Sequence, residues 1–318
     1  MRTAMKCAIK WNTLSIDEWE KKFSKLPYSN ILQSYTYAQI HCPLQKQKAR
    51  WGVIEIDGTE AGLVQIFEAG ILWNAIHALC LDRGALWFEG FGNAMHQRLF
   101  FDEINKQFPQ RFGRKRRVLP EMEYGLVAER MAAQTGLSLQ GSGYQTIWVD
   151  LTSDTEILRA NMKSNWRNKL SKAERADLTL EWDGSVANLP WLCGIYATDK
   201  ALRDYGGPSP EFLRQYAAAL AAKGNLLVGR AVKEGEAIAF VLFVRHGRSA
   251  TYLVGWSSQE GRENAAHHLL LWKGLCMLKE IGIKELDLGG INDDGAQGIK
   301  TFKEGLGGRA VRYVGRYG

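Results

Sequence analysis

The sequence predicts a mixed α/β protein built as two related domains, and three observations carry that expectation. The chain has 318 residues, 46% of them hydrophobic and 24% charged, enough for more than one core. Two segments half a chain apart repeat one grammar: Trp51–Ile56, the turn Asp57-Gly58 and Ala61–Phe67, then Leu226–Val232, the turn Glu234-Gly235 and Ala237–Arg245. Each reads as a hairpin, because an acidic residue followed by glycine suits a tight turn between strands, and each resumes with Glu-Ala. In the second half, helices precede a strand meander that a further helix and strand close, the order of a mixed layer.

Taken in order, the first half predicts a helix over Ile16–Lys25, the first hairpin, a strand near Ala85–Phe88, a helix over Asn93–Phe108 and a basic loop over Arg111–Arg117. Ile147–Asp150 reads as the strand that enters the second domain. Ser153-Asp154-Thr155-Glu156 has capping-box spacing, in which serine and glutamate each satisfy an amide at a helix start, so a helix is expected from Asp154 to Arg175. A strand follows at Leu178–Trp182. Ser209 and Pro210 open a helix with Phe212, Leu213, Tyr216, Ala217 and Leu220 on one face, and Lys223-Gly224 ends it. After the second hairpin come a strand at Ala250–Trp256, a helix over Arg262–Ile281 stopped by Gly282, and a strand at Glu285–Leu288.

The formal charge of +7 is divided between the halves, so any polyanion contact has to come from local clusters rather than a tail. The five cysteines are scattered and odd in number, which points to reduced thiols and away from disulfides or zinc. The richest apolar window, Leu63–Cys80, is interrupted by Gln65, Glu68, Asn74 and His77 and falls short of the ~20 apolar residues a membrane span needs. Lys6 and Lys10 are followed by no apolar run, so no signal peptide and a cytoplasmic location are expected.

Several groups suit chemistry. Arg159, Lys163 and Arg167 fall four apart beside the ridge Leu158, Met162, Trp166 and Leu170; with Lys169, Lys172 and Arg175 against Glu174 they form a cationic patch suited to phosphate. The same pattern describes a solvated helix face. Lys303 would place an ammonium where negative charge develops on a carbonyl oxygen, or else is a surface lysine before a glycine-rich turn. Gly289-Gly290 and Gly307-Gly308 permit either a close substrate approach or sharp turns. Asp287 ends a strand and either accepts from an amine or caps the following loop. Tyr252 and Trp256, with Val254 between them, alternate onto one strand face and line either a cleft or the core. His267 and His268 lack acid or thiol neighbours at ligand spacing and read as packed or surface histidines, and no metal is expected.

The run Leu286-Asp287-Leu288-Gly289-Gly290-Ile291, followed by Phe302-Lys303-Glu304-Gly305-Leu306-Gly307-Gly308, resembles the C-terminal end of the Fem family, aminoacyl-tRNA-dependent transferases of peptidoglycan cross-bridges. Trp166-Arg167-Asn168-Lys169-Leu170-Ser171-Lys172-Ala173 matches the family's basic helix, Leu32-Gln33-Ser34-Tyr35 its start and Arg83-Gly84-Ala85 a strand in its first domain. The resemblance implies two tandem acetyltransferase-like (GNAT) domains, over 1–146 and 147–308, without the long coiled-coil insertion of some members. It also implies a tail at 309–318 packed on the first domain. It implies Lys303 as the oxyanion stabiliser, the Phe302 carbonyl as acceptor for the incoming amine and Asp287 beside it. Acceptor substrate would meet Arg167, Lys163, Tyr252, Trp256 and His41, which stands where members often carry a phosphate-binding lysine, with Lys46 and Lys48 nearby. The tRNA would meet Arg114, Lys115, Arg116, Arg117, Lys169 and Lys172. Aminoacyl-tRNA is then co-substrate and an amine-bearing molecule the acceptor, with no redox cofactor.

Two other functions fit parts of the sequence. Acyl-CoA-dependent N-acylation shares the fold, but its pyrophosphate loop would fall at Ser257–Ala265, where two acids and a single glycine make a poor cradle. A non-catalytic RNA-binding module needs only the basic clusters. The oligomeric state is not legible.

Overall fold

The computed structural model describes residues 5–133, 136–203, 206–291 and 297–318, and the chain divides into two compact units. One comprises Met1–Gln145 together with Val311–Gly318, the other Thr146–Ala310.

In the first unit the elements run β1 (Cys7–Trp11), α1 (Ile16–Phe23), a 3₁₀ turn at Ile31–Gln33, α2 (Tyr35–Gln45), β2 (Lys48–Ile56), β3 (Thr59–Ile71), β4 (Ile76–Gly84), β5 (Leu86–Trp87), α3 (Ala94–Gln107), β6 (Arg114–Pro120), α4 (Leu126–Ala133) and β7 (Leu139–Gly141). The second unit follows with β8 (Gln145–Asp150), α5 (Thr155–Ala160), α6 (Ser164–Glu174), β9 (Thr179–Asp183), α7 (Leu189–Arg203), α8 (Pro210–Ala222), β10 (Leu226–Lys233), β11 (Glu236–His246), β12 (Ser249–Ser257), α9 (Gln259–Glu263), α10 (Ala266–Glu280), β13 (Glu285–Asp287), α11 (Gln297–Gly305) and β14 (Arg309–Arg312). A last strand, β15 (Arg316–Tyr317), returns to the first sheet.

The first sheet has the order β1-β2-β3-β4-β6-β15-β7, with β5 beside β3; the second has β14-β8-β13-β12-β11-β10-β9. Each places helices on both faces. In the first unit Ile54, Ile66 and Leu81 pack with Phe100 and Ile104 of α3, while Leu63 and Leu86 pack with Trp19 and Phe23 of α1. In the second, Val241, Phe243 and Leu286 pack with Leu170 of α6 and Leu270 and Leu275 of α10. Burial of each such side chain stabilises by roughly 1.5–3 kcal/mol.

Both hairpins form, β2 with β3 and β10 with β11, and Ser209 caps α8 by accepting from Phe212 N. Other expectations are corrected. No capping box forms at Ser153: Asp154 is the N-cap and makes no side-chain cap bond, while Asp150 takes the N–H and hydroxyl of Thr152. The reciprocal pair is instead Ser15 with Glu18 at the start of α1. The helix expected over Asp154–Arg175 is two helices, broken at Asn161–Lys163, where Lys163 N donates to Gly305 O at 2.9 Å. The helix expected over Arg262–Ile281 is also divided, because Ala265 takes a left-handed φ of +52°. Arg114–Arg117 is not a loop but the start of β6, paired in parallel with β4. Its alternation turns Arg116 inward, where it donates to Asn105 Oδ1 at 2.7 Å and to Phe108 O, and leaves Lys115 and Arg117 exposed. Helix α7 has no counterpart in the expectations.

Candidate active site

The second sheet opens where β12 leaves β13. The two strands pair in parallel at Ser249–Thr251 with Glu285–Asp287; β13 then ends while β12 continues to Ser257. Into this opening come the end of β13, the Gly289-Gly290 turn and α11.

Asp287 is 2% exposed. Thr146 of β8 donates its hydroxyl to Asp287 Oδ1 and is 2.9 Å from Gly289 O, and Gly289 N–H donates to Asp287 Oδ1 at 2.8 Å. The carboxylate thus folds the turn beneath it, as a cap does. Gly289 sits at φ +75°, a left-handed conformation that glycine takes without strain, and Lys303 Nζ lies 3.5 Å from where a Cβ would stand.

Lys303 projects from α11 and is itself buried. Its ammonium donates to Gly290 O at 2.9 Å and stands 6.0 Å from the Tyr252 ring centre. Burial pulls its pKa down to about 8, and the negative charge of Asp287 resists that fall. The cation is therefore held in a low-dielectric place near neutrality, where a charge-assisted contact is strong.

Around it lies an aromatic cluster. Phe302 meets the rings of His267 and His268 edge-on at 5.2 and 4.9 Å and lies 6.0 Å from Trp166. Gly305 allows this approach, since a Cβ there would come within 2.5 Å of the Trp166 ring. Burial, helped by Lys303, lowers the His267 pKa to about 4; burial, helped by Lys169 and His267, lowers that of His268 to about 3. Both imidazoles are neutral at physiological pH, and His267 Nε2 is 2.8 Å from the Tyr252 hydroxyl. Phe302 falls in the last turn of α11, where α-helical bonding leaves carbonyls open, and Leu306 N–H bonds the Lys303 carbonyl at 3.2 Å.

The structure brings Lys303, Phe302, Asp287 and Tyr252 together but not Trp256. A bulge between Leu242 and Phe243 shifts the β11–β12 register, so Tyr252 pairs with Phe243 whereas Trp256 pairs with Phe240. Phe240 and Phe243 are three apart on one strand and face opposite ways; Tyr252 accordingly meets α10, while Trp256 stacks on Phe240, which meets Trp191 of α7. The expected common face for Tyr252 and Trp256 is thus undone by one extra residue, Leu253.

Lys163 pairs with Glu304 of α11 at 3.3 Å, and Arg167 donates through Nη1 to Ala160 O at 2.7 Å and Met162 O at 2.6 Å, bracing the break between α5 and α6. Arg159 is taken by Glu174 through two bonds of 2.6 Å. The cationic patch is therefore narrower than its sequence: Lys169 and Lys172 remain exposed on α6. His41 belongs to the first unit, half-buried between Tyr37 and Phe67 at 5.1 Å from each, and burial lowers its pKa. Arg114–Arg117 also lie in the first unit. Thr146 has no counterpart in the sequence reading, and His267 reads there as a packed or surface histidine; it shares a helix face with apolar residues, and only the bulge that aims Tyr252 at it sets it apart from packing. The polar residues 292–296 between the two glycine-rich motifs lie outside the described residues.

Residues 160–304 match the acetyltransferase (GNAT) domain family. No curated protein matches the chain in sequence. Among solved structures the chain is similar to FemX, with 14% identity, 97% of this chain and 96% of that one covered, and a TM-score of 0.79. It is similar to a tandem GNAT protein from the clavulanic acid biosynthesis pathway (12% identity, 98% of both chains, TM-score 0.50) and to a GNAT-family acetyltransferase from Colwellia psychrerythraea (12%, 98% of both, TM-score 0.51). The fold is the tandem GNAT fold of the Fem type, an acyltransferase fold, and among the described residues no helix is long and apolar enough to cross a membrane.

Proposed function

We propose that this chain, with its Fem-type tandem GNAT fold, moves an amino acid from the ester of an aminoacyl-tRNA to an amine acceptor, forming an amide. The observation that carries the reading is the buried Lys303 ammonium in the opening between β12 and β13, resting on a carbonyl and flanked by Tyr252 and Asp287. The acceptor nitrogen attacks the ester carbonyl carbon, the carbonyl oxygen takes the negative charge, and collapse breaks the bond to the ribose oxygen, which leaves with the proton lost by the amine. Lys303 donates to the oxygen as its charge develops, where a fixed donor in a dry site lowers the barrier. The Phe302 carbonyl, held by the rings around it, accepts from the incoming amine and aligns it. Lys169 and Lys172 meet tRNA phosphates, and Lys163 and Arg167 meet anionic groups of acceptor or tRNA once substrate competes for their present partners.

Acyl-CoA as donor is the alternative that the GNAT match raises. Against it, the helix start after β12 is partly taken from within: Ser258 Oγ accepts from Gly261 N at 3.0 Å, Arg262 donates to Ser257 O at 2.8 Å, and Glu260 pairs with Lys233. A Cβ at Gly261 would meet Ile238 O at 2.3 Å, so this glycine packs the helix onto β11. A pyrophosphate there would have to displace the cap on Gly261 N and would meet the Glu260 carboxylate.

Competition binding of labelled aminoacyl-tRNA against deacylated tRNA and acetyl-CoA tests the assignment. Retention of the charged form over the deacylated one is expected. Displacement by acetyl-CoA moves the donor to CoA, and equal retention of both tRNAs reduces the chain to a basic RNA-binding module.

A further inference from the structure

The first unit carries an exposed apolar tip that neither its cores nor the proposed chemistry uses. β3 and β4 pair out to Ile71 opposite Ile76. There Ile71 is 61% exposed, Leu72 68%, Trp73 104% and Ile76 53%. The start of the neighbouring β6 crosses this turn: Arg111 donates to Ala75 O at 3.0 Å and to the Asn74 carbonyl, and His77 N donates to Gly113 O at 2.8 Å. Phe112, 102% exposed, therefore stands beside the tip.

The backbone sharpens the anomaly. Leu72, Trp73 and Asn74 have φ of +50°, +55° and +65°. The left-handed region costs a side-chain-bearing residue of the Leu or Trp kind about 1–2 kcal/mol, which is why tight turns favour glycine and asparagine there. Leu72 and Trp73 accept that strain while remaining exposed, Trp73 wholly so.

The same end of the sheet is cationic. Lys46 caps the end of α2, Lys48 opens β2, and Lys115 follows Arg114 at the start of β6; these lysines and Arg111 are exposed. Lys48 stands opposite Glu68, whose carboxylate is already shared between Arg50 and His77. Large apolar side chains ringed by cations match a surface that is apolar beneath and anionic at its rim.

We propose that this tip docks the protein on an anionic lipid bilayer. Leu72, Trp73 and Phe112, flanked by Ile71 and Ile76, enter the boundary between headgroups and acyl chains, where an amphipathic indole is at home. Lys46, Lys48, Arg111 and Lys115 meet lipid phosphates at the surface. Nucleic acid is the poorer match, because bases stack on aromatic planes and most of this tip is branched aliphatic. The assignment is independent of the reaction proposed above.

The test is co-sedimentation of the full chain with vesicles of phosphatidylcholine alone and with about one-third phosphatidylglycerol added, at low and near-physiological salt. Binding to the anionic vesicles, weakened by salt, is expected. The double substitution Trp73→Ser with Phe112→Ser should lower the partition coefficient at least about tenfold, and so should Lys46→Glu with Lys48→Glu and Lys115→Glu. All are exposed positions, so the thermal midpoint should hold. Vesicle binding without preference for the anionic lipid, or unchanged by both sets of substitutions, overturns the proposal. So does an absence of vesicle binding, and loss of tRNA retention or of self-association in the Trp73 and Phe112 variant would then assign the tip to that partner instead.

Discussion

In the first unit β4 runs parallel to β6 from His77 opposite Arg114 to Gly84 opposite Pro120, whereas in the second the matching strand β12 meets β13 only at Ser249–Thr251. Each unit buries a cation near the end of that parallel pair, and the two are treated differently. Arg83, at the end of β4, makes two bonds of 2.8 Å to Glu121 and lies 4.7 Å from the ring centres of both Tyr144 and Tyr313, while Tyr28 donates its hydroxyl to the same carboxylate. Lys303 instead rests on a carbonyl, with Asp287 acting on it through its field. A buried charge met by an equal and opposite one is locked, while one met by a dipole is poised for a further anion. Zipped strands and a neutralised cation mark the first unit's position as structural; open strands and a cation whose hydrogen-bond partner among the described residues is a carbonyl fit the reactive role proposed for the second unit's.

The contrast is open to attack, most severely in the first unit. Glu121→Gln strands Arg83 as an uncompensated buried charge and should cost about 3–5 kcal/mol in urea unfolding. Lys303→Ala should slow aminoacyl transfer about a hundred- to a thousandfold without loss of stability, because removing a desolvated ammonium relieves the burial that depresses its pKa. If Lys303→Ala destabilises the protein as Glu121→Gln does, the two cations are alike and the contrast fails. A pH profile sharpens it. Lys303 is protonated below about 8 and loses its charge as pH rises through that value, so transfer should decline on the alkaline side there, and Lys303→Arg should remove that limb. Smaller effects separate the faces of β12: Tyr252→Phe, which removes the hydroxyl beside His267, should slow transfer about tenfold. Trp256→Phe, on the opposite face, should leave the rate within about twofold.

The readable parts of the sequence were those where one local rule had no rival. Acid-glycine turns between alternating strands marked both hairpins, Ser209-Pro210 marked the start of α8, and Gly282 marked the end of α10. The Phe302-Lys303 pair and Asp287-Leu288-Gly289-Gly290, separated in sequence, meet at the opening in the second sheet. Local rules misled where long-range partners decide. Ser153 and Glu156 have the spacing of a capping box, yet Asp150 organises that turn instead. Four consecutive cations at Arg114–Arg117 look like a loop, but Asn105 and the Phe108 carbonyl take the inward Arg116 and let the strand form. Tyr252 and Trp256 keep strand spacing, and only the partner strand reveals that Leu253 is extra.

The return of the chain to its first sheet decides which unit a missing last strand would damage. Tyr317 pairs with Val118 on one side and Leu139 on the other and is 3% exposed, so β15 is the link between β6 and β7 rather than an ornament at the edge. Every strand of the second unit's sheet is synthesised before that link. The second sheet therefore has all its strands without Arg316–Tyr317, while the first is split between β6 and β7 without them. Loss of that strand would fall on the first unit alone, setting β7 adrift while the strand order of the second stays whole.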